Sequence, residues 1–302
     1  MIHEDAVLLM GFGSPASLDE LPEFLSRVIG QKPSPELVSR TRSRYARIAG
    51  SPFLEISCRQ AGQLEELLSQ SGRKLKVALG FLHGAPFIPE ALSKLLTPNL
   101  HRLIGLPLIP FASSRSTGAY AHAAEEALLA TGRTVEFVTV ASYHDQPLFL
   151  EAVAEKLTQV FRENPGLSPS TTPVLFSAHS LPQALPDNPG YLAQLEASRK
   201  AVSERLGLDK TALAFQSRGG RGEWLGPSVA ERVADWAAQG EKAVVVSPLG
   251  FVSDHVETLY DLDVELKGLA EGAGLRYFRA ASLNDSPTFI RALAAVVEEK
   301  LG

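Results

Sequence analysis

Seven apolar runs of strand length, separated by stretches with helical periodicity, limit this chain to few folds. They are "AVLLMGF" at 6–12, "LKVALGF" at 75–81, "RLIGLPLI" at 102–109, "TVEFVTVA" at 134–141, "PVLFSA" at 173–178, "ALAFQS" at 212–217 and "KAVVVSPLGF" at 242–251. Nearly unbroken apolar runs, as opposed to alternating ones, belong to parallel strands with helices over both faces. The segments "SLDELPEFLSRVI", "PLFLEAVAEKLTQVF", "YLAQLEASRKAVSERLG" and "SPTFIRALAAVVEEKLG" carry apolar residues at the spacing of amphipathic helices. Ser286 before Pro287 reads as a cap followed by proline at the first helical position. The fold class is therefore α/β, with two similar doubly wound, Rossmann-like domains on four-stranded parallel sheets. The strands divide near residue 145, which places the domains at 1–145 and 146–302. The segment "HDQP" at 144–147 lies in the join, and the last helix is free to fold back on the first half.

At 302 residues the chain is long enough for two such domains. A formal net charge of −5 is the wrong sign for a nucleic-acid binder, so an anionic ligand has to meet a local basic patch. Cys58 is the only cysteine, which excludes disulfides within the chain, cysteine zinc sites and a cysteine-held iron–sulfur cluster. The opening "MIHEDAVLLMGFGSP" puts acids before a short apolar run and lacks a basic leader, so it reads as a first strand and not a signal peptide. No window comes near the ~18 apolar residues of a membrane span. A cytoplasmic protein is expected.

In open parallel sheets ligands bind beyond the carboxyl ends of the strands, and the unusual chemistry of this sequence sits there. The last apolar run is followed by "SDHVETLYDLDVE". On an α-helix Asp254, Glu257, Asp261 and Glu265 fall within an arc of about 80°, with Leu259, Leu262 and Leu266 opposite. A solvated acidic face is the plain reading. Carboxylates four apart repel each other, however, and a cation passing along the rail would relieve them. Glu257, Asp261 and Glu265 drift by about 40° per step, and a local π-turn brings them closer to one line. His179, in "FSAHSLP", follows the fifth run and precedes Pro182. Alone it reads as a hydrogen-bonded loop histidine; paired with Glu257 it offers a neutral nitrogen and a carboxylate, which hold a divalent metal loosely or accept protons.

Other motifs carry less. "GFGSPA" at 11–16 fits the dinucleotide fingerprint but lacks the acid expected about 20 residues later, so its glycines read as letting the backbone approach some other flat or bulky ligand. "SAHS" sets Ser177 and Ser180 near a histidine without a nucleophile elbow. "SRTRSRYARIAGSPF" supplies Arg40, Arg42, Arg44, Arg47 and Ser51. These form either a solvated basic helix face or a set of guanidinium and hydroxyl groups suited to ligand carboxylates. Trp224 and Trp236 read as packing residues.

Taken in order, "LLMGFGSP", "RYARIAGSPF", "FSAHSLP", "FQSRGGRGEWLGP", "GFVSDHVETLYDLDVE" and "LNDSPTFIRAL" resemble the ferrochelatase family over nearly the whole chain. The resemblance implies a chelatase-type fold of two four-stranded α/β halves, with a porphyrin in the cleft between them and insertion of Fe²⁺ as the reaction. By motif, His179 and Glu257 match the family's catalytic and metal-binding pair, and Asp261 and Glu265 match further metal-path acids on a π-distorted helix. Phe12, Arg44, Tyr45, Ser51 and Tyr120 match porphyrin-binding positions of the short bacterial branch, which acts on coproporphyrin III. The short span from Pro15 to Ser51 leaves no room for the hydrophobic lip of longer relatives, and the lack of a C-terminal extension agrees. Phe12 stands where the branch usually has tyrosine, which removes a phenolate ligand to product iron. Ile29 stands where arginine is expected, with Arg27 nearby.

On this resemblance His179 accepts protons or is the first ligand, Glu257 shares the metal or stabilises the charged imidazole, and Asp261 and Glu265 lead ions in or protons out. Fe²⁺ is then a substrate, with no tightly bound cofactor and no iron–sulfur cluster. The expected partners are a porphyrin, ferrous iron and a transient acceptor for the haem product, with no nucleic acid, no membrane span and a monomeric chain. Alternatives are a protoporphyrin IX ferrochelatase, a chelatase for another metal or tetrapyrrole such as cobalt into sirohydrochlorin, and a non-catalytic carrier of metal or haem.

Overall fold

A computed structural model describes residues 4–73, 75–219 and 222–302; Gly220 and Arg221 of the "SRGGRGEWLGP" motif lie outside the described residues. The chain forms two compact units, Met1–Tyr143 with Asn284–Gly302, and His144–Leu283.

The first unit runs β1 (Glu4–Gly11), α1 (Leu21–Ile29), α2 (Pro35–Arg47), α3 (Phe53–Gln70), β2 (Lys76–Phe81), α4 (Ile88–Leu95), β3 (Leu100–Pro107), α5 (Thr117–Ala130) and β4 (Glu136–Thr139). Its strands are parallel in the order β2-β1-β3-β4. In β1, Ala6, Leu8 and Met10 point to one face, where they meet Ile88, Leu92, Tyr120 and Leu128 of α4 and α5. Val7 and Leu9, on the other face, are equally buried. Both faces are covered, which explains why the strand reads as one apolar run instead of an alternation.

The second unit runs α6 (Pro147–Glu163), β5 (Val174–His179), α7 (Asn188–Leu206), β6 (Thr211–Gln216), α8 (Val229–Ala238) and β7 (Ala243–Ser247). It continues through α9 (Val256–Leu259), a π-helical turn (Asp261–Leu266), α10 (Lys267–Gly272) and β8 (Arg276–Arg279). The order β6-β5-β7-β8 repeats that of the first sheet, again all parallel. A shared loop detail accompanies the repeat: Phe81 N donates to Pro86 O at 2.8 Å after β2, and Phe215 N donates to Pro227 O at 2.9 Å after β6. Trp236 packs with Val229, Val233, Val244, Leu262 and Leu266, in keeping with a packing role. Among the described residues no helix is long and apolar enough to cross a membrane.

The last helix, α11 (Pro287–Leu301), belongs to the first unit. It buries Phe289, Ile290, Leu293, Val296 and Val297, and it packs on α3 and β3. Arg59 of α3 fixes its entrance by an ion pair of 2.7 Å to Asp285. Ser286 does sit at the N-cap with proline after it, but the side chain makes no cap hydrogen bond. Two further departures from the sequence reading have local causes. The run at 242–251 is a strand only to Ser247, because Pro248 cannot donate to a ladder. The four residues of β8 escaped notice because "RYFR" is short and half polar. Gly13 has φ 96°, and a Cβ there would lie 2.6 Å from Gly84 N, so this glycine lets two loops of its own unit meet.

Candidate functional site

Each sheet has a switch point where successive connections leave in opposite directions, between β1 and β3 in the first unit and between β5 and β7 in the second. Such points open a crevice at the carboxyl ends of the strands. His179 is the terminal residue of β5, and the loop after β7 leads into α9, which carries Glu257. Gly250 makes the approach of the two segments close. Its N–H donates to Ser177 O at 2.9 Å, and a Cβ on it would lie 2.8 Å from Ala178 Cα.

The result is a convergence of three side chains. His179 Nε2 lies 3.7 Å from one oxygen of Glu257, and His255 Nε2 lies 3.7 Å from the other. His255, the histidine among the acids of "SDHVETLYDLDVE", is brought round by its place at the N-cap of α9. Both tautomers follow from backbone acceptors. His179 Nδ1 is 2.5 Å from Ser180 O and His255 Nδ1 is 3.0 Å from Ser253 O. A carbonyl only accepts, so both Nδ1 atoms carry a hydrogen, and in the neutral ring each Nε2 is the atom left to face the carboxylate. Two imidazole nitrogens on either side of one carboxylate can share a proton or a metal ion. The Phe251 ring flanks both imidazoles, with centroids 5.0 Å from His255 and 6.5 Å from His179. Tyr191 OH donates to His179 O at 3.0 Å; burial, aided by the Glu257 charge, pushes its pKa well up, so it stays a neutral donor.

Beyond Glu257 the helix changes pitch. Tyr260 O accepts from Val264 N at 3.1 Å and from Glu265 N at 3.0 Å, and the second bond is the i→i+5 contact of a π-turn. Asp261 is half-buried and Glu265 exposed, so the acids step outward from Glu257. The helix is held from the β6 side, where Gln216 Nε2 donates to Glu257 O at 2.6 Å and Ser217 Oγ to Asp261 Oδ2 at 3.1 Å. Ser217 does so with φ 59°, a left-handed conformation uncommon for serine. Asp254 is not part of the rail. It precedes α9, and its Oδ1 accepts from Ser282 Oγ at 2.8 Å and Thr258 Oγ1 at 3.2 Å and lies 3.2 Å from Arg279 Nη1. Among the described residues no group of three or more His, Cys, Asp or Glu side chains is arranged to hold a metal ion.

The hydroxyls of the serines beside His179 make no hydrogen bond to its ring. Ser180 Oγ donates to Leu225 O at 2.8 Å, and Ser177 is fully buried within β5. Neither is directed at the imidazole as a nucleophile would be.

The remaining sequence-derived candidates lie in the first unit. Phe12, just past β1, is 40% exposed and stands edge-on to His83 with centroids 4.6 Å apart. His83, which the sequence reading passed over, is held neutral, its pKa lowered by burial and by the nearby Arg27 charge. Arg27 itself is committed: its Nε donates to His83 O at 2.9 Å, its Nη1 pairs with Glu23 at 2.7 Å and its guanidinium covers the Phe87 ring. Arg27 is thus engaged by residues of its own unit. Arg44 is half-buried and Tyr45 buried on α2. Ser51 Oγ accepts from Phe53 N at 3.4 Å at the start of α3. Tyr120 lies in the core of the unit, 4% exposed.

The sequence model of the family described as Ferrochelatase matches residues 4–301. The chain belongs to the ferrochelatase family. It is accordingly an enzyme that inserts metal into a porphyrin. A ferrochelatase of Herpetosiphon aurantiacus is 34% identical over 302 residues, covering 98% of this chain and 99% of that protein. A coproporphyrin III ferrochelatase of Geobacillus kaustophilus is 33% identical over 298 residues, covering 96% and 94%. In fold the chain is similar to the solved structure of SirB from Bacillus subtilis with Fe3+, at a TM-score of 0.60 and 12% identity over 98% of this chain and 95% of that one.

Proposed function

We propose that this ferrochelatase inserts Fe²⁺ into coproporphyrin III, with His179 and Glu257 at the point of exchange. The observation that carries the reading is the approach of His179 Nε2 to Glu257 at 3.7 Å, with that nitrogen left to face the carboxylate. Insertion replaces two pyrrole protons by one ferrous ion, so the site has to take protons and pass a dication. His179 Nε2 accepts a pyrrole proton; its Nδ1–H remains on Ser180 O, which keeps the ring from turning. Glu257, 3.7 Å away, stabilises the imidazolium so formed, and the second pyrrole proton goes to its carboxylate and on to His255 Nε2, 3.7 Å away on its far side. Asp261 and Glu265 conduct the ion inward and the protons outward. Iron is a substrate and needs no closed set of ligands, and no resident cofactor takes part.

The porphyrin contacts are assigned to Phe12, Arg44, Tyr45, Ser51 and Tyr120. The choice of coproporphyrin III is supported by the likeness to proteins of that name such as the Geobacillus kaustophilus enzyme, and by the arginines of α2, which suit a substrate with more carboxylates than protoporphyrin IX has.

One anaerobic experiment tests both parts. Wild-type protein, His179→Ala and Glu257→Gln are mixed with Fe²⁺ and either coproporphyrin III or protoporphyrin IX, and loss of free-base fluorescence is followed. Wild type is expected to favour coproporphyrin III in kcat/KM, and each substitution to lower kcat by about 10²–10⁴-fold, the range for a positioned acid–base group. A preference for protoporphyrin IX overturns the substrate; undiminished turnover in both variants overturns the site.

A further inference from the structure

Tyr260 O serves both an α-type and a π-type hydrogen bond at nearly equal length, 3.1 and 3.0 Å. The helix ladder alone therefore holds no strong preference between the two forms. Relaxation to a plain α-helix would shift the register beyond the turn by one residue and restore the drift of about 40° per step that carries Glu265 off the line of Glu257 and Asp261. Whatever maintains the π form acts from outside the helix.

Arg279, on β8, is placed to do so. Its Nε and Nη2 donate to the two oxygens of Asp263 at 2.6 and 2.8 Å. Its Nη1 lies 3.2 Å from Asp254 Oδ1. Asp263 sits in the π-turn between Asp261 and Glu265, and Asp254 adjoins His255 just before α9. One guanidinium thus grips the acidic segment on both sides of Glu257. Only 12% of the Arg279 side chain is exposed. Burial works against its charge, yet the hydrogen bonds to Asp263 and the charges of Asp254 and Asp263 outweigh that cost and raise its pKa. A fork bonded to both oxygens of a carboxylate fixes direction as well as distance, which a lysine cannot do.

We propose that Arg279 is a positioning residue for ferrous-ion delivery: by gripping Asp263 and Asp254 it holds the π-turn, and so keeps Glu257, Asp261 and Glu265 on one line. It touches neither substrate. The proposal rests on the reading that iron travels along those acids.

The test uses Arg279→Lys and Asp263→Asn in the full chain, with Asp261→Asn and Glu265→Gln as controls of the path. Both Arg279→Lys and Asp263→Asn are expected to stay folded by circular dichroism and to keep the wild-type KM for porphyrin. Their kcat/KM for Fe²⁺ should fall by about 10–100-fold, the usual effect of losing a residue that orients metal-binding groups. The double variant should lose no more than the worse single, since both remove one contact. Wild-type iron kinetics in either folded variant, a loss confined to porphyrin KM, or additive losses overturn the proposal. Should Arg279→Lys not fold, Asp263→Asn decides alone. If Asp261→Asn and Glu265→Gln leave iron kinetics unchanged, the ion path fails; if they impair delivery and Arg279→Lys does not, only the role of Arg279 fails.

Discussion

Replacing Gly250 by alanine should separate the geometry of the site from the stability of the fold. Gly250 is not in the left-handed region, so the cost of a side chain there is steric. A Cβ would meet Ala178 Cα at 2.8 Å, Ala178 Cβ at 2.9 Å and His179 N at 3.5 Å. Relaxed carbon contacts lie at about 3.5–4.0 Å, so the loop has to retreat from β5 by about 0.7 Å or more. None of the struck atoms is the end of a flexible side chain. The loop is anchored at this point by Gly250 N to Ser177 O, and it leads within a few residues to His255 and Glu257. The retreat therefore widens the His179–Glu257 approach. Overpacking of this kind costs about 1–3 kcal/mol, whereas misplacing reacting groups by about 1 Å costs on the order of 10²-fold in rate. Thermal unfolding and anaerobic iron insertion, measured on one preparation below the melting transition, give both numbers. A modest drop in Tm with a loss of about 10²-fold in kcat is expected. Full activity, or a loss that merely tracks the unfolded fraction, would refute the reasoning.

Two more predictions follow from unit-level details. Arg40 and Arg47 are exposed on α2, share a face with Arg44 and have no ion-pair partner among the described residues. The double variant Arg40→Gln/Arg47→Gln should keep its stability within about 0.5 kcal/mol, raise KM for coproporphyrin III and weaken the salt dependence of that KM, read from rates at several ionic strengths. Asp285 has its pKa lowered chiefly by the hydrogen bond from Arg59. A carboxylate with a depressed folded-state pKa adds stability above its unfolded value of about 3.9, and that stability is lost as the pH falls through the folded value. Asp285→Asn should therefore melt earlier at pH 7 and lose less on going from pH 5 to pH 2, as thermal scans across that range would register.

Much of the fold can be read from the chain because burial on both sheet faces leaves unbroken apolar runs such as Val7 to Met10 and Val244 to Val246. Strand β8 could not be read so, since an edge strand of four residues needs few apolar side chains. Within the site, the four-residue spacing of Glu257, Asp261 and Glu265 shows that a π-turn would bring these acids closer to one line, while a π-distorted helix at this place was implied by the family resemblance. The fate of Asp254 was not, since its partner Arg279 is brought to it by β8. The facing of the His179 and His255 Nε2 atoms was equally hidden, being set by the carbonyls of Ser180 and Ser253. For the glycines at 11–16, sequence shows that backbone must come close to something, but not that Gly84 is one of the neighbours.

Helix α11 completes the sheet packing of the first unit although it follows the whole second unit in the chain. During synthesis the middle unit, His144–Leu283, can close while its neighbour still waits for a missing wall. Until Phe289, Leu293 and Val297 emerge, α3 and β3 keep an oily side open to the cell's chaperones. A ribosome stalled shortly before Asn284 would thus release one finished half and one sticky, unfinished one.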